Sequence, residues 1–568
     1  MYTRRHPCDT EIACEIDLHR KQLDQARPRI PTMRDRQWRQ RRRNLVAPVW
    51  TIGLLTCTLT SSAAGQPTPS NLIDAVRGAA DQMSAGAAVA RLLDQGVDAN
   101  MAEPDGTTAL HWAVRGDYED AARRLIDAGA RAETTNRYGI TPLALAATNG
   151  SGTMVEMLLR AGASPETTNP GGDTPLMIAA RTGRIEPIEL LLDAGAAVDT
   201  TETWREQTAL MWAAVADNVD AVNALVGAGA DVEARSRGRL TPLLFAVREG
   251  HIDATRALLA AGADINATAR DNTTPLVAAV INAHYELAGL LLDAGADPNL
   301  PDPRESILHA LAWMRRPGSG RPPLPTGTLD SLDLARALLE AGASPDGRVE
   351  WREVPFEVDL GVVRRPPSLS VGRDFLSFIG ATPFYLAAKH GDAELMRLLV
   401  EHGADPLTPT DQGITPLMAA AGVGFWDGES PGPLNGTSES ARLEAVRLAV
   451  ELGSDIHAVT DFGDTRLEGD GVTLLLRHPL NLPDLDAQRD RGDMRWSGST
   501  ALHGAAMMGS NLIVQYLIDQ GADIDVENRL GWTPLMVAEG VFVANTEKAW
   551  PETVALLRDL GARPGPAR

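Results

Sequence analysis

Two short stretches of the chain carry residue types that could do chemistry, and the first resembles a hydrolase nucleophile. Gly428-Glu429-Ser430-Pro431-Gly432 matches the Gly-x-Ser-x-Gly letter pattern. That nucleophile requires a strand before the serine and a helix after it. Here proline follows the serine, within a stretch rich in proline, glycine and asparagine. We therefore expect a loop at Ser430 and no catalytic role.

The second stretch is an acidic cluster that could bind calcium. Its members are Asp484, Asp486, Asp490 and Asp493. Their spacing is not that of an EF-hand loop, and the glycine that such a loop needs is missing. Arginines alternate with the aspartates, which favours a solvated acidic loop. The sequence predicts no metal site here.

Other cofactor and metal motifs are missing from the sequence. None of the three lysines precedes a serine or threonine, so there is no Walker-type phosphate loop. Cys8, Cys14 and Cys57 all precede residue 60, which leaves the remaining chain without a cysteine-based zinc site. We expect no catalytic residue, no metal and no cofactor.

A short motif recurs down the chain at steps of 33 or 34 residues between Thr108 and Thr274. Copies of its Thr-Pro-Leu form, or of a close variant, begin at Thr108, Thr141, Thr174, Thr208, Thr241, Thr274, Thr382, Thr415, Thr500 and Thr533. A paired small residue, a Leu-Leu pair and a Gly-Ala-Asp or near form follow in phase. Such a period predicts a stacked repeat array, in which a surface rather than one pocket carries the function.

One unit shows how the motif encodes structure. We expect Thr141 to cap a short helix and Pro142 to take its first position, where the missing N–H costs nothing. Ala146 and Ala147 keep that helix thin, so neighbouring units can approach closely. Apolar spacing then predicts a second helix, which ends at Gly162 in a left-handed conformation.

The pattern closely resembles the ankyrin repeat. Thr108-Ala109-Leu110-His111 and Thr500-Ala501-Leu502-His503 match the Thr-Pro-Leu-His box of that family. The resemblance covers about residues 71–564. It implies an all-α solenoid of stacked helix-turn-helix units with turn or hairpin loops and several long insertions. It also implies that the histidines of the box, among which we count His309, brace adjacent turns through hydrogen bonds.

Departures from the period suggest five segments. We expect a basic leader with a signal peptide over 1–65, an N-terminal capping repeat over 66–104, regular repeats over 105–303, a degenerate repeat with insertions over 304–379, and repeats over 380–568 with insertions at about 424–440 and 461–496 and a C-terminal cap. Residues 315–329 read as a spacer, 349–363 as a possible hairpin, and Ala555–Ala562 as the last helix. A break near 305–380 would divide the array into two stacks.

The leader has the three parts of an export signal. Arg39 and Arg41–Arg43 precede an apolar run over 45–59, and Ser62-Ala63-Ala64 supplies small residues for cleavage. The run is short for a membrane span. We therefore expect a bacterial protein exported to the periplasm or beyond. Retention of 45–64 as an inner-membrane anchor is the alternative, and Met1 and Met33 both remain possible starts.

Charge bears on the kind of partner. The formal net charge is −22, and the first 44 residues are basic, so the repeats are more acidic still. An acidic body repels phosphate backbones, which argues against a nucleic acid ligand. In ankyrin-like proteins the turns and the ends of the first helices line a concave binding face. Carried over by position, the residues expected there are Arg115, Arg137, Tyr138, Arg181, Trp204, Arg205, Arg237, Arg248, Arg270, Arg304 and Lys389.

Two interpretations of these residues stay open. Either each arginine simply pairs with a nearby carboxylate, or the set binds a protein with an acidic surface, since arginine and aromatic residues are favoured at interface hot spots. We favour a monomeric, non-catalytic scaffold for protein–protein interaction that needs no cofactor. The alternatives are an enzyme or enzyme accessory with a site built from the insertions, and a membrane-tethered assembly factor.

Overall fold

The computed structural model describes residues 71–300, 306–315, 325–349, 379–424, 437–461, 497–541 and 549–564. The expected leader, Ser430, Arg304 and the aspartate cluster lie outside these ranges, as does nearly all of the expected hairpin at 349–363. The helices within them, in chain order, are α1 (Leu72–Arg77), α2 (Gln82–Asp94), α3 (Ala109–Arg115), α4 (Glu119–Asp127), α5 (Pro142–Asn149), α6 (Gly152–Arg160), α7 (Pro175–Thr182), α8 (Ile185–Asp193), α9 (Ala209–Val215), α10 (Val219–Gly227), α11 (Pro242–Glu249), α12 (Ile252–Ala260), α13 (Pro275–Ile281), α14 (Tyr285–Asp293), α15 (Ile307–Arg315), α16 (Ser331–Glu340), α17 (Pro383–His390), α18 (Ala393–Glu401), α19 (Pro416–Ala421), α20 (Glu439–Glu451), α21 (Ala501–Met508), α22 (Asn511–Asp519), α23 (Pro534–Ala538) and α24 (Pro551–Asp559).

The cap expected at each first helix is present. The Thr141 hydroxyl accepts a hydrogen bond from the Ala144 amide at 3.1 Å, and Pro142 takes the first helical position. The helix ends at Gly150 in the left-handed region, and Gly162 after the second helix has a φ of +92°. The same arrangement of cap and proline recurs at Thr241 and Thr274. The fold of the single unit is therefore as the sequence predicted.

Stacking buries the thin first helices between their neighbours. The odd-numbered helices α1 to α23 pack one on the next in chain order, and the even-numbered helices form a second layer, in which α8 contacts α6 and α10. Ala146 and Ala147 are fully buried. One isolated bridge joins Ala102 to Thr108, and the part of the chain that the structure describes contains no strand. The fold is an all-α solenoid.

The stack continues through the region where a break was expected. The first helix of that unit, α15, packs against α13 and α17, and its second helix, α16, packs against α14 and α18. Ser306 takes the place of the capping threonine, and its hydroxyl lies 2.7 Å from His309 Nδ1. The described helices on either side of 305–380 therefore belong to one stack.

Some expected boundaries need correction. Arg315 is the last residue of α15 rather than the start of a spacer. The last helix spans Pro551–Asp559, so it begins earlier than the predicted Ala555–Ala562, because Pro551 opens it. The helix α20 begins at Glu439, inside the predicted insertion over 424–440, since Ser438 caps it.

The three histidines of the box each join their own unit to the next, as expected. The Thr500 amide donates to His503 Nδ1 at 3.1 Å, which leaves the proton on Nε2 to be donated to the Trp532 carbonyl at 2.9 Å. His309 reaches the Ala381 carbonyl at 3.0 Å in the same way. Burial lowers the pKa of His309 and of His503 to about 4. These imidazoles are therefore neutral braces between neighbouring units.

A second brace was not predicted from the sequence. The residue before a second helix reaches back to the open carbonyls at the end of the previous first helix. Asn218 Nδ2 lies 2.8 Å from the Ala180 carbonyl, and His251 Nε2 lies 2.9 Å from the Val215 carbonyl. Helix ends leave such carbonyls without partners in their own helix. These units thus help to complete the hydrogen bonding of the unit before them.

The long insertions fall at two kinds of position in the repeat sequence. A regular turn before a first helix is closed by a backbone bond such as Asn136 N to Ile140 O at 3.1 Å. The equivalent bonds run from Val349 N to Ala381 O and from Thr460 N to Ser499 O, each at 3.0 Å. Residues 350–378 and 462–496 therefore lie in the sequence between the bonded ends of these two turns. By contrast, 316–324, 425–436 and 542–548 lie between the two helices of a unit.

We predict that stability falls as the pH drops from about 6.5 towards 4. An unfolded histidine titrates near 6.5, so in this window the unfolded chain binds protons that folded His309 and His503 do not. We expect a loss of roughly 2 kcal/mol per histidine between about pH 7 and about pH 5. Chemical denaturation of the wild type and of His503→Gln at both pH values checks this. The variant should lose less stability on acidification, and an unchanged pH dependence would contradict the assignment.

We also predict that Arg315 holds three helices together. Its Nε donates to Asp392 Oδ2 at 2.6 Å and its Nη1 to Ser331 Oγ at 2.7 Å, with both charged side chains largely buried. Removing one partner of a buried ion pair is costly, so Arg315→Ala should destabilise by roughly 3 kcal/mol. The exposed pair Arg336–Glu401, at 3.9 Å, supplies the control Arg336→Ala, with an expected cost below about 0.5 kcal/mol. Denaturation with hydrogen exchange should localise the loss to α15–α18, and equal costs would refute the role.

Candidate functional site

Backbone hydrogen bonds connect the tips of several pairs of consecutive turns along one edge, with a gap at Pro170, which has no N–H to donate. Arg137 N donates to Asp105 O at 2.7 Å, Thr203 N to Gly171 O at 2.9 Å, and Arg237 N to Arg205 O at 2.8 Å. We call this set of bonds, together with Arg270 N to Gly238 O at 3.1 Å, the tip ladder. Because the main chain carries these bonds, the side chains at the tips remain available for other contacts.

The predicted residues fall into two rows rather than one stripe. The tip row lies along the ladder and contains Arg137, Tyr138, Trp204, Arg205, Arg237 and Arg270. The helix-end row lies in the last turns of first helices and contains Arg115, Arg181, Arg248 and Lys389. A first helix of seven or eight residues separates the rows by roughly 10 Å, at 1.5 Å per residue.

Two aromatic side chains of the tip row are open to solvent. Trp204 is 72% exposed and Tyr138 is 53% exposed. The Arg137 guanidinium lies 5.0 Å from the Tyr138 ring centroid and donates to its hydroxyl at 2.8 Å. The Trp204 amide is held by the Glu202 carboxylate at 2.6 Å, which fixes the backbone that presents the indole. These contacts give the tip row a preformed backbone with apolar surface.

Only some of the predicted arginines pair with carboxylates. Arg237 lies 3.3 Å from Glu206, and Arg248 lies 2.8 Å from Glu249. No ion pair within the described ranges involves four of the others, which are Arg115, Arg181, Arg205 and Arg270. Local pairing therefore accounts for a minority of the set.

Aromatic rings, which the sequence analysis did not assign to the site, lie against the helix-end arginines. The guanidinium of Arg115 is 5.3 Å from the Trp112 centroid, and that of Arg181 is 5.2 Å from the Trp212 centroid. Arg248 lies 5.1 Å from Phe245 in the same manner. All three rings stand four residues after a capping threonine, and that shared offset was a readable signal. An aromatic ring is neutral overall, so a cation over it is not offset by a neighbouring negative charge as it would be beside a carboxylate.

Neither a metal centre nor a membrane span emerges from the described parts of the chain. No group of three or more histidine, cysteine, aspartate or glutamate side chains there could hold a metal ion. No helix among those residues is long and apolar enough to cross a membrane.

Comparison with known proteins agrees with this architecture. The chain matches the family model described as ankyrin repeats (3 copies) over residues 77–169, 161–236, 235–302 and 439–544, and the model described as ankyrin repeat over 379–411. Among curated proteins, it is 30% identical to human B-cell lymphoma 3 protein over 238 residues, which cover 37% of this chain and 50% of that protein. It is 31% identical over 281 residues to human ankyrin repeat and SOCS box protein 16, covering 46% of this chain and 58% of that protein.

Solved structures with similarity include the human ASB11 ankyrin repeat domain, at 26% identity and a TM-score of 0.37, covering 40% of this chain and 100% of that one. The ankyrin repeat domain of Bcl-3 is 28% identical with a TM-score of 0.34, covering 36% of this chain and 94% of that one. The matched regions thus span between half and three-fifths of the two full-length human relatives named above. Since the family model covers more than half of the sequence, the chain belongs to the ankyrin-repeat family.

Proposed function

We propose that this chain is a non-catalytic scaffold that binds an acidic protein partner along the tip row and the helix-end row. Ankyrin repeats indicate a protein–protein interaction scaffold. The observation that supports the finer proposal is the tip ladder, because it aligns arginines without ion pairs beside exposed aromatic rings.

The chemistry of the rows favours a protein surface rich in carboxylates. Arginine and aromatic residues are the types most often found at interface hot spots, and a guanidinium matches a carboxylate with two parallel hydrogen bonds. Arg205 and Arg270 have no competing carboxylate among the described residues. A partner carboxylate would therefore gain a charge-assisted bond without first breaking an internal ion pair.

A preformed ladder also lowers the cost of binding. Association loses free energy when loops and side chains must be ordered at the interface. Here the backbones of several tips are already held by a neighbouring tip, as Arg237 is by Arg205 at 2.8 Å. The partner then has to order side chains only. The net charge of −22 works in the opposite direction, since it repels an acidic partner at long range and leaves short-range contacts to provide the affinity.

We also propose that the chain is exported, on the basis of the basic segment, apolar run and small-residue site over 39–64. We predict that expression in a bacterial host yields mature protein beginning near Gly65 in the soluble periplasmic fraction. N-terminal sequencing after fractionation checks this. Protein that keeps residues 45–64 and sediments with membranes would support the anchored alternative instead.

We predict that reversing the charges of the tip row abolishes partner binding. The variant changes Arg137, Arg205, Arg237 and Arg270 to Glu, and it should keep the fold because main-chain atoms form the ladder. The control changes Arg91, Arg123, Arg256 and Arg336 to Glu, which are exposed residues of second helices with the same change in charge.

Affinity capture from envelope extracts, with circular dichroism to confirm folding, measures the result. A protein retained by the wild type and by the control but lost from the tip variant supports the proposal. A protein lost equally from both variants would show that net charge alone governs binding, and a protein retained by all three would exclude the tip row.

A further inference from the structure

The first complete repeat contains an internal carboxylate site. Glu103, in the turn before α3, lies between two donors from neighbouring first helices. Its Oε1 accepts from Arg77 Nη1 at 2.7 Å, and its Oε2 accepts from Trp112 Nε1 at 3.0 Å. The Arg77 guanidinium also lies 5.6 Å from the Trp112 ring centroid. Each carboxylate oxygen thus has its own donor, and we call this arrangement the Glu103 site.

The same two donors recur three repeats later. Trp212 stands four residues after Thr208, as Trp112 stands four residues after Thr108. Arg181 comes from the last turn of the preceding first helix, as Arg77 does, and its guanidinium lies 5.2 Å from the Trp212 centroid. An arginine and an indole from adjacent first helices therefore meet in both places.

The carboxylate is missing from the second arrangement. Glu202 begins its turn as Glu103 does, but this turn is longer, closing from Glu202 N to Gln207 O rather than from Glu103 N to Thr107 O. The Glu202 carboxylate instead accepts from the amides of Trp204 at 2.6 Å and Arg205 at 2.7 Å. It is engaged within its own turn and is not bonded to Trp212.

The indole is left without an acceptor as a result. Trp212 Nε1 is buried and has no hydrogen-bond partner in the described parts of the chain. Buried N–H groups are nearly always paired, because leaving one unpaired costs free energy. Arg181 likewise has no ion pair there, and it is exposed. The Trp212 N–H and the Arg181 guanidinium therefore meet at the position where the Glu103 site holds a carboxylate.

We propose that Arg181 and Trp212 receive a carboxylate from the protein partner, an aspartate or glutamate side chain, in the way that Arg77 and Trp112 receive Glu103. This inference rests on the proposed function, since it names one contact on that surface. Trp212 Nε1 is covered in the free chain, so binding requires a side chain to move. Arg181 is long and exposed, so it is able to do so.

The full chain labelled with 5-fluorotryptophan tests this by fluorine NMR. Trp212→Phe and Trp112→Phe identify the two resonances, each by the loss of one signal. The probe is a tetraglutamate peptide, with tetraglutamine at the same concentration as the neutral control. We expect tetraglutamate alone to shift the Trp212 resonance in a saturable way and to leave the Trp112 resonance in place. Arg181→Gln should weaken this response at least about tenfold, since it removes a charge-assisted bond.

A gain-of-site variant provides the matched control. Glu103→Ala empties the Glu103 site, so the Trp112 resonance should begin to respond to tetraglutamate while that of Trp212 responds as before. An unmoved Trp212 resonance in the wild type, an equal response to tetraglutamine, or an unchanged response in Arg181→Gln would each overturn the proposal.

Partner capture separates this inference from the proposed function. If the captured protein is lost from the tip variant but retained by Arg181→Gln and Trp212→Phe, the scaffold proposal stands and the carboxylate contact falls. If all these variants retain it, both proposals fail. Loss from the tip variant and from both single variants supports the two together.

Discussion

The bonds between neighbouring repeats are the constraint on which the rest of the structure depends. A unit of two short helices cannot bury its apolar face alone, so its stability comes from the interfaces that it shares. The buried side chain of His503 and the half-buried one of Asn218 donate to carbonyls of an adjacent unit rather than of their own. The proposed binding surface depends on the same contacts, because the tips stay aligned only while successive units remain stacked.

Several arginines of the two rows form no ion pair with a carboxylate in the described parts of the chain. In a chain this acidic, arginines would be expected to find carboxylates, and Arg237 does. Arg115 and Arg181 lie over indole rings instead. An aromatic face orients a guanidinium without neutralising it. The rings therefore hold these cations in place without neutralising them, which is what the proposed acidic partner would require.

Local rules made the unit predictable from sequence, whereas contacts between units were harder to foresee. Thr141 and Pro142 act within one helical turn, and the role of His503 follows from its place in the motif. The ion pair of Arg315 with Asp392 joins residues far apart in the chain, so local rules could not predict it. The proline- and glycine-rich sequence that follows led us to assign Arg315 to a spacer, whereas it is the last residue of α15. The sequence analysis did not single out the indoles of Trp112 and Trp212, because periodicity does not show which side chain of the preceding unit lies against them. Whether the predicted site residues bind a partner stays a prediction.

The main-chain character of the tip ladder has an evolutionary consequence. A bond from Arg237 N to Arg205 O is indifferent to the side chains that those positions carry. Substitutions at the tips can therefore accumulate with little penalty to folding, and even long segments have been accommodated between Val349 and Ala381 and between Thr460 and Ser499. Lineages that carry this array would be expected to diverge fastest along that edge, so the same scaffold could acquire new partners while its helices drift slowly.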